Sequence, residues 1–305
     1  MQSLQQNENH QKIIVAGNVP FNKRLLIPLL DRLGGRFLLG RIATRFARRV
    51  VGPEVEVRYA YGLWTHRVEK FFFPDSQQFN YRSRDFEKWT GQAERYFSEA
   101  EDFWFHRYVP QKGDVIIDIG AGRGEDMLTF SRAVGKTGRV IGVEAHPLSF
   151  AILVNFCRLN GLSNAVPVQL ALMDGPGTVR ISDAESAWIE NTVGYGEESS
   201  GVQVRADTVD NVCETHRIKE IAFLKMNIEG AERYALLGME ATIPRIRKIC
   251  VACHDFRADW GHGEHFRTRA FVEQFLIEHG FKISSRPDDP RDYVRDHIWG
   301  ERTVS

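Results

Sequence analysis

From Lys112 onward the sequence alternates short, almost wholly apolar runs with stretches of helical texture, and few folds accommodate that alternation. DVIIDIG (114–120) precedes a helix predicted over about 125–134. RVIGVEA (139–145) precedes another over about 147–160. AVPVQLAL (165–172), GTVRIS (177–182), GVQVRADTV (201–209), IAFLKMNIEG (221–230) and IRKICVACHDF (246–256) follow, with a Gly/Ser-rich loop near 194–201. A strand that is apolar on both faces must be covered on both faces, and helices between strands supply that cover while making the strands parallel. The pattern predicts an α/β fold with one doubly wound, mostly parallel sheet, a late helix at about 267–279 and a final strand FKISSR at 281–286.

The residues before this alternation read as an N-terminal helical and β extension. The expected organisation is a disordered polar tail at 1–19, the extension at 20–110, the α/β domain at 111–285 and a tail at 286–305. Within the extension, residues 20–50 read as helix broken near Gly34-Gly35, residues 53–82 as short strands, and 85–108 as helix rich in aromatic side chains. Leu38, Ile42 and Phe46 recur at spacing four, with Arg41, Arg45, Arg48 and Arg49 on other faces.

Formal charge is balanced, 40 basic against 40 acidic residues, which argues against a general nucleic-acid binder. The balance is uneven: eight Lys/Arg and one acid lie between Lys23 and Val50. The basic helix at 36–50 therefore suits peripheral contact with an anionic membrane, packing on the acidic remainder of the chain, or homo-oligomerisation. Four cysteines in a chain of 305 residues do not make a disulfide framework, and the lone Cys250/Cys253 pair is a poor zinc site. Reduced thiols and a cytoplasmic, or peripherally membrane-bound, location are expected. The first twelve residues lack the basic-then-apolar order of a signal peptide, and no run approaches the roughly 18 apolar residues of a membrane span.

The first strand of the α/β region ends at Asp118 and runs into Gly120-Ala121-Gly122-Arg123-Gly124. Glycines there let the backbone turn tightly and approach a ligand at the carboxyl end of the sheet. The spacing lacks the full dinucleotide order, and Asp118, Glu125 and Asp126 are awkward neighbours for a pyrophosphate. They suit a ligand bearing positive charge. Glu144 ends the next strand about twenty residues on, where a carboxylate accepts both hydroxyls of a ribose. This set describes a nucleoside site without a phosphate clamp, and S-adenosylmethionine fits it.

The chain resembles the FkbM family of class I S-adenosylmethionine-dependent methyltransferases. The stretches that carry the resemblance are IDIGAGRGED (117–126), IGVEAHP (141–147), LNGLSN (159–164), VQLALMDGPGTVRI (168–181), VRADTVDNV (204–212) and FLKMNIEGAERYALLGM (223–239). The resemblance implies a Rossmann-like fold and methyl transfer to a hydroxyl of a sugar, glycolipid or secondary metabolite. It implies cofactor contacts from Asp118, Gly120, Ala121, Gly122, Gly124, Asp126, Glu144 and Ala145, with Leu172 and Asp174 near the adenine. Two departures stand out. Lys225-Met226-Asn227 replaces the family's lysine-isoleucine-aspartate, and Ala252 stands where a glutamate is usual two residues before His254. Both weaken any divalent-metal role.

A hydroxyl acceptor needs alignment with the methyl and a base within hydrogen-bond reach. His254, directly after an apolar strand, is the expected base, with Asp255 orienting it and Asn227 beside the reacting atoms. Glu229, Trp260, His262 and His265 are the expected acceptor contacts. A metal set drawn from His254, Asp255, Asp259, His262, Glu264 and His265 has no strict spacing, and no metal is predicted. Rival readings are an N-methyltransferase and a non-catalytic methyltransferase-like scaffold bound to a membrane or a partner.

Overall fold

The computed structural model describes residues 35–182, 193–194 and 201–302. The tail at 1–19, the helical segment before Gly34-Gly35 and most of the Gly/Ser-rich loop lie outside these residues. The chain forms two compact units that meet in sequence at Thr90 and Gly91.

The first unit contains α1 (Arg36–Val50), an antiparallel sheet of β1 (Val55–Ala60), β2 (Leu63–Val68) and β3 (Phe71–Ser76), and a short α2 (Ser83–Phe86). Small residues let α1 lie close against β1. A Cβ on Gly40 would sit 2.8 Å from the Val57 carbonyl oxygen. The Thr44 hydroxyl accepts from the Val57 amide at 2.8 Å, and Arg48 Nε donates to the Val55 carbonyl at 3.1 Å.

The second unit opens with α3 (Gln92–Asp102) and continues as β4 (Val115–Ile119), α4 (Glu125–Val134), β5 (Arg139–Glu144), α5 (Pro147–Leu159) and β6 (Ala165–Gln169). Then come β7 (Ala171–Leu172), β8 (Gly177–Ile181), β9 (Val193–Gly194), β10 (Val202–Asp207), α6 (Val209–Thr215), β11 (Ile221–Met226), α7 (Glu232–Leu237) and β12 (Ile246–Ala252). The unit ends with α8 (Asp255–Asp259), α9 (Arg269–Glu278), β13 (Phe281–Ser284), α10 (Asp292–Arg295) and β14 (His297–Arg302). The main sheet has the order β13-β14-β12-β11-β4-β5-β6 and is parallel except for β14, which runs antiparallel to both its neighbours.

Alternate residues of the central strands feed two cores. Ile117, Ile119, Val143, Leu224 and Met226 pack with Val209, Leu236, Val272 and Leu276 on one side. Ile116, Val140 and Phe223 pack with Trp104, Met127, Phe130, Leu153 and Trp299 on the other. Helices on both faces of a nearly parallel sheet are the architecture the apolar runs predict.

Three expectations change. The helix predicted over 85–108 is interrupted at Gly91, whose φ of 64° opens α3, so the extension ends at Thr90 and not at 110. GTVRIS and GVQVRADTV leave the main sheet for a small one of order β7-β10-β8-β9, because β8 is largely exposed and suits an antiparallel sheet with one face toward solvent. Residues 286–302, the described part of the expected C-terminal tail, are not a tail. Ile298 and Trp299 are buried on opposite faces of β14, which fills the sheet between β12 and β13.

Candidate active site

The turn after β4 is shaped by its glycines. Gly120, Gly122 and Gly124 have φ of 77°, 55° and 100°, values that favour glycine. Gly120 is also fixed by space: a Cβ there would lie 1.9 Å from the Asn227 carbonyl oxygen. The Asn227 amide in turn donates to the Ile119 carbonyl at 2.9 Å. The ends of β4 and β11 are thus pressed together.

Glu144 ends β5 and closes the glycine turn. One carboxylate oxygen accepts from the Gly122 amide at 2.9 Å and the other from the His146 amide at 2.8 Å. Burial pushes its pKa up to about 7, against the two amide hydrogen bonds that favour the charged form. Each oxygen keeps a second lone pair.

Beneath the turn lies a buried ion network. Lys225, partnered in register with Asp118, places Nζ 2.8 Å from Asp118 Oδ1 and 3.5 Å from Asp126 Oδ2, and donates to the Gly120 carbonyl at 2.7 Å. Burial pushes Asp118 up to about 6 although Lys225 opposes it. Burial disfavours the charge on Lys225, yet Asp118 and Asp126 hold its pKa above the ordinary value.

A cavity of about 260 Å³ opens over these strand ends. Gly120, Ala121, Gly122, Asp126, Glu144 and Ala145 line one part, Leu170, Leu172, Ile181 and Ile228 give apolar walls, and Lys225, Asn227 and Glu229 border the rest. The buried Asn227 Oδ1 has no hydrogen-bond partner within the protein. These residues fit S-adenosylmethionine: a carboxylate for a ribose, apolar cover for a base, and acidic and amide groups for a cationic end.

At the Asn227 border, His254 lies between two carboxylates. Nε2 is 3.2 Å from Glu229 Oε1, and Nδ1 is 3.2 Å from Glu232 Oε1. Glu232 Oε1 also accepts from the Gly230 amide, and Arg257 donates to Glu229 Oε2 at 2.6 Å. Burial works against a charge on His254, but the two carboxylates raise its pKa to about 10. Burial also opposes the charge on Glu229, which His254 and Arg257 nevertheless hold below the usual carboxylate range. Glu229 has a φ of 54°, a strained position that aims its carboxylate back at His254 and Arg257.

Residues 118–283 match the family model of the methyltransferase FkbM domain, more than half of the chain. The chain belongs to the FkbM methyltransferase family. Its domain has the class I methyltransferase sheet order, with the antiparallel strand one place in from the edge. Among solved structures, the FkbM domain resembles methyltransferase FkbM from Methylobacillus flagellatus KT. The identity is 16% and the TM-score 0.44, covering 62% of this chain and 44% of that one. It also resembles cofactor-bound Rv0187 from MTB, with 11% identity, a TM-score of 0.43, and coverage of 69% and 78%. The O-methyltransferase from Bacillus cereus in complex with SAH has 12% identity, a TM-score of 0.42, and coverage of 69% and 80%. At these identities the likeness is one of fold, and the chain spans less than half the length of the Methylobacillus chain. No curated protein sequence matches the chain.

Several site residues expected in the FkbM domain have other work. His254 is an imidazolium with both nitrogens engaged, so it has no lone pair to take a proton and does not fit the role of base. Asp255 accepts from the Thr268 and Arg269 amides and caps the start of α9, away from His254. Asp118 is fully buried under Lys225 and does not reach the cavity. Gly124 serves packing: a Cβ there would meet Leu153 and Phe156 of α5 at 3.0 and 3.1 Å. Asp174 is exposed and outside the cavity lining, because the chain turns to solvent after Met173. Trp260, His262 and His265 are exposed and do not line it either. Their segment approaches the site through Arg257, which joins Glu229 and lies 3.4 Å from His262.

Among the described residues no group of three or more His, Cys, Asp or Glu is arranged to hold a metal ion. Glu229 and Glu232 are taken up by His254, Arg257 and the Gly230 amide. Lys225 and Arg257 are the polar site residues that sequence reasoning missed, and Leu170, Ile181 and Ile228 the apolar ones. Lys225 stood in the motif beside Asn227, and a lysine in a strand otherwise apolar was itself a signal of a buried partner.

Proposed function

We propose that this chain is an O-methyltransferase that uses S-adenosylmethionine to methylate a hydroxyl of a sugar, glycolipid or secondary metabolite. The observation that carries this reading is one cavity running from Glu144 to Asn227 and Glu229. When bound, the cofactor supplies an electrophilic methyl on a sulfonium. Glu144 holds the ribose hydroxyls, and Leu170, Leu172 and Ile181 cover the base. The unpartnered Oδ1 of Asn227 accepts from the acceptor hydroxyl and orients its oxygen. Glu229, kept ionised by His254 and Arg257, receives the proton as the hydroxyl turns acidic on forming its new bond. The lowered basicity of Glu229 suits this late transfer.

Calorimetry with S-adenosylhomocysteine tests the cofactor end. Glu144→Ala is expected to weaken binding by at least about 100-fold, since two hydrogen bonds to a charged group are worth about 3–6 kcal/mol together. Equal binding by the variant overturns the assignment. The raised pKa of Glu144 adds a sign: the ionised form binds, so affinity is full above about pH 7 and falls as pH drops below it. Glu144→Gln should remove that slope.

A panel of hydroxyl and amine acceptors with methyl-labelled cofactor tests the other end. Label on hydroxyl compounds alone supports the reading. Label confined to amines favours the N-methyltransferase alternative, and binding without transfer to any acceptor favours a scaffold.

A further inference from the structure

The surface of α1 is not explained by methyl transfer. The helix buries Leu39, Gly40, Ala43 and Ala47 against β1 and turns a very different face to solvent. Phe37 is 75% exposed, Phe46 and Leu38 each 53%, and Val50 and Ile42 nearly half. Leu38, Ile42, Phe46 and Val50 follow one another at intervals of four and form a single stripe along the helix. Such an apolar stripe on the outside of a helix whose other side is already packed calls for a partner.

The charge beside the stripe identifies that partner. The helix carries five arginines and no acidic residue. Arg41, Arg45, Arg48 and Arg49 are all exposed. The Arg41 guanidinium lies 5.6 Å from the ring of Phe37 and that of Arg49 lies 5.5 Å from Phe46, so cations and rings share one surface. Phe37, Leu38 and Ile42 line the same groove as Arg41, Arg45 and Arg48. A second copy of α1 would bring arginines against arginines. Residues 1–34 supply no acidic complement, with Lys12, Lys23, Arg24 and Arg32 against Glu8 and Asp31. A nucleic acid would meet the arginines but leave the aliphatic stripe in water.

We infer that α1 is a membrane-surface helix, which seats Leu38, Ile42, Phe46 and Val50 in the acyl boundary of an anionic bilayer while its arginines contact lipid phosphates. The helix lies in the plane of the interface and does not cross it. No helix among the described residues is long and apolar enough to span a membrane. Each arginine at an anionic surface raises partitioning about fivefold, and the apolar stripe adds an attraction that salt does not screen. The binding should therefore need both components.

Sedimentation of the full chain with phosphatidylcholine vesicles, with and without phosphatidylglycerol, tests this independently of catalysis. Strong partitioning is expected only with the anionic lipid, weakened by added salt. Arg45→Glu/Arg49→Glu should lower it by more than tenfold. Ile42→Asp/Phe46→Asp should lower it equally while keeping all five arginines. All four positions are exposed, and an unchanged thermal melt together with unchanged S-adenosylhomocysteine binding confirms that the variants are folded. Equal partitioning to both vesicle types, or binding unaffected by the aspartate pair, overturns the inference. So does a dimer of the wild type that the aspartate pair dissociates, since that makes a second copy the occupant.

Discussion

Lys225→Met is expected to lower the unfolding free energy by about 3–5 kcal/mol, the usual cost of removing one partner from a buried ion pair. Asp118 is fully buried, and its counter-charge is the ammonium 2.8 Å away. Methionine fills much of the lysine's volume, so the loss comes from charge and not from a void. The same ammonium donates to the Gly120 carbonyl, and the glycine turn loses that tether. Affinity for S-adenosylhomocysteine should fall together with stability. Adding Asp118→Asn removes the stranded charge and should restore more than half of the lost stability, while leaving the turn untethered and affinity low. Urea unfolding and calorimetry on the two variants separate these effects. A single variant within about 1 kcal/mol of wild type would mean that Asp118 takes up a proton at little cost.

The second large effect belongs to His254. His254→Gln leaves Glu232, which is fully buried, without the imidazolium, and a loss of about 3–5 kcal/mol is again expected. The double variant with Glu232→Gln should recover a substantial part. The pH dependence has a definite sign. The folded pKa of about 10 stands above the ordinary 6.5, so the stabilisation is fully present below about pH 6.5 and is lost as pH rises through about 10. Melting temperatures of the wild type should decline across that window, and those of His254→Gln should not show that component. At saturating cofactor, turnover should show no ionisation of His254 between pH 6.5 and 8. A rise in that interval that disappears in His254→Gln would restore the histidine as the base.

The sheet was legible because its strands are short, apolar and separated by helices of matching length. The helix at 125–134 and the start of the next at Pro147 fall where the sequence places them. The glycine turn and Glu144 were legible because each residue type has a local reason to be there. Other parts depended on distance. Asp118 was read as a ligand contact because its partner, Lys225, is more than a hundred residues away in sequence. His254 was read as a free base because nothing local reveals that Glu229 and Glu232 fold back on it from the turn after β11. Asp255 sits next to that histidine in sequence, but a helix start turns it toward the amides of α9. β14 escaped notice because Asp and Arg residues crowd both sides of its few apolar positions.

That last strand also imposes an order of events on the chain. Among the described residues β13 is an edge strand whose one neighbour is β14, and β14 follows it in sequence. During synthesis β13 therefore emerges with no strand to pair with, while β12 offers an open edge that β13 does not occupy in the finished sheet. Completion of the sheet waits for residues 297–302, which insert between two strands already made and satisfy both at once. Until then the strand leading to His254 has a bare flank, so the half of the main sheet that carries His254 is finished last.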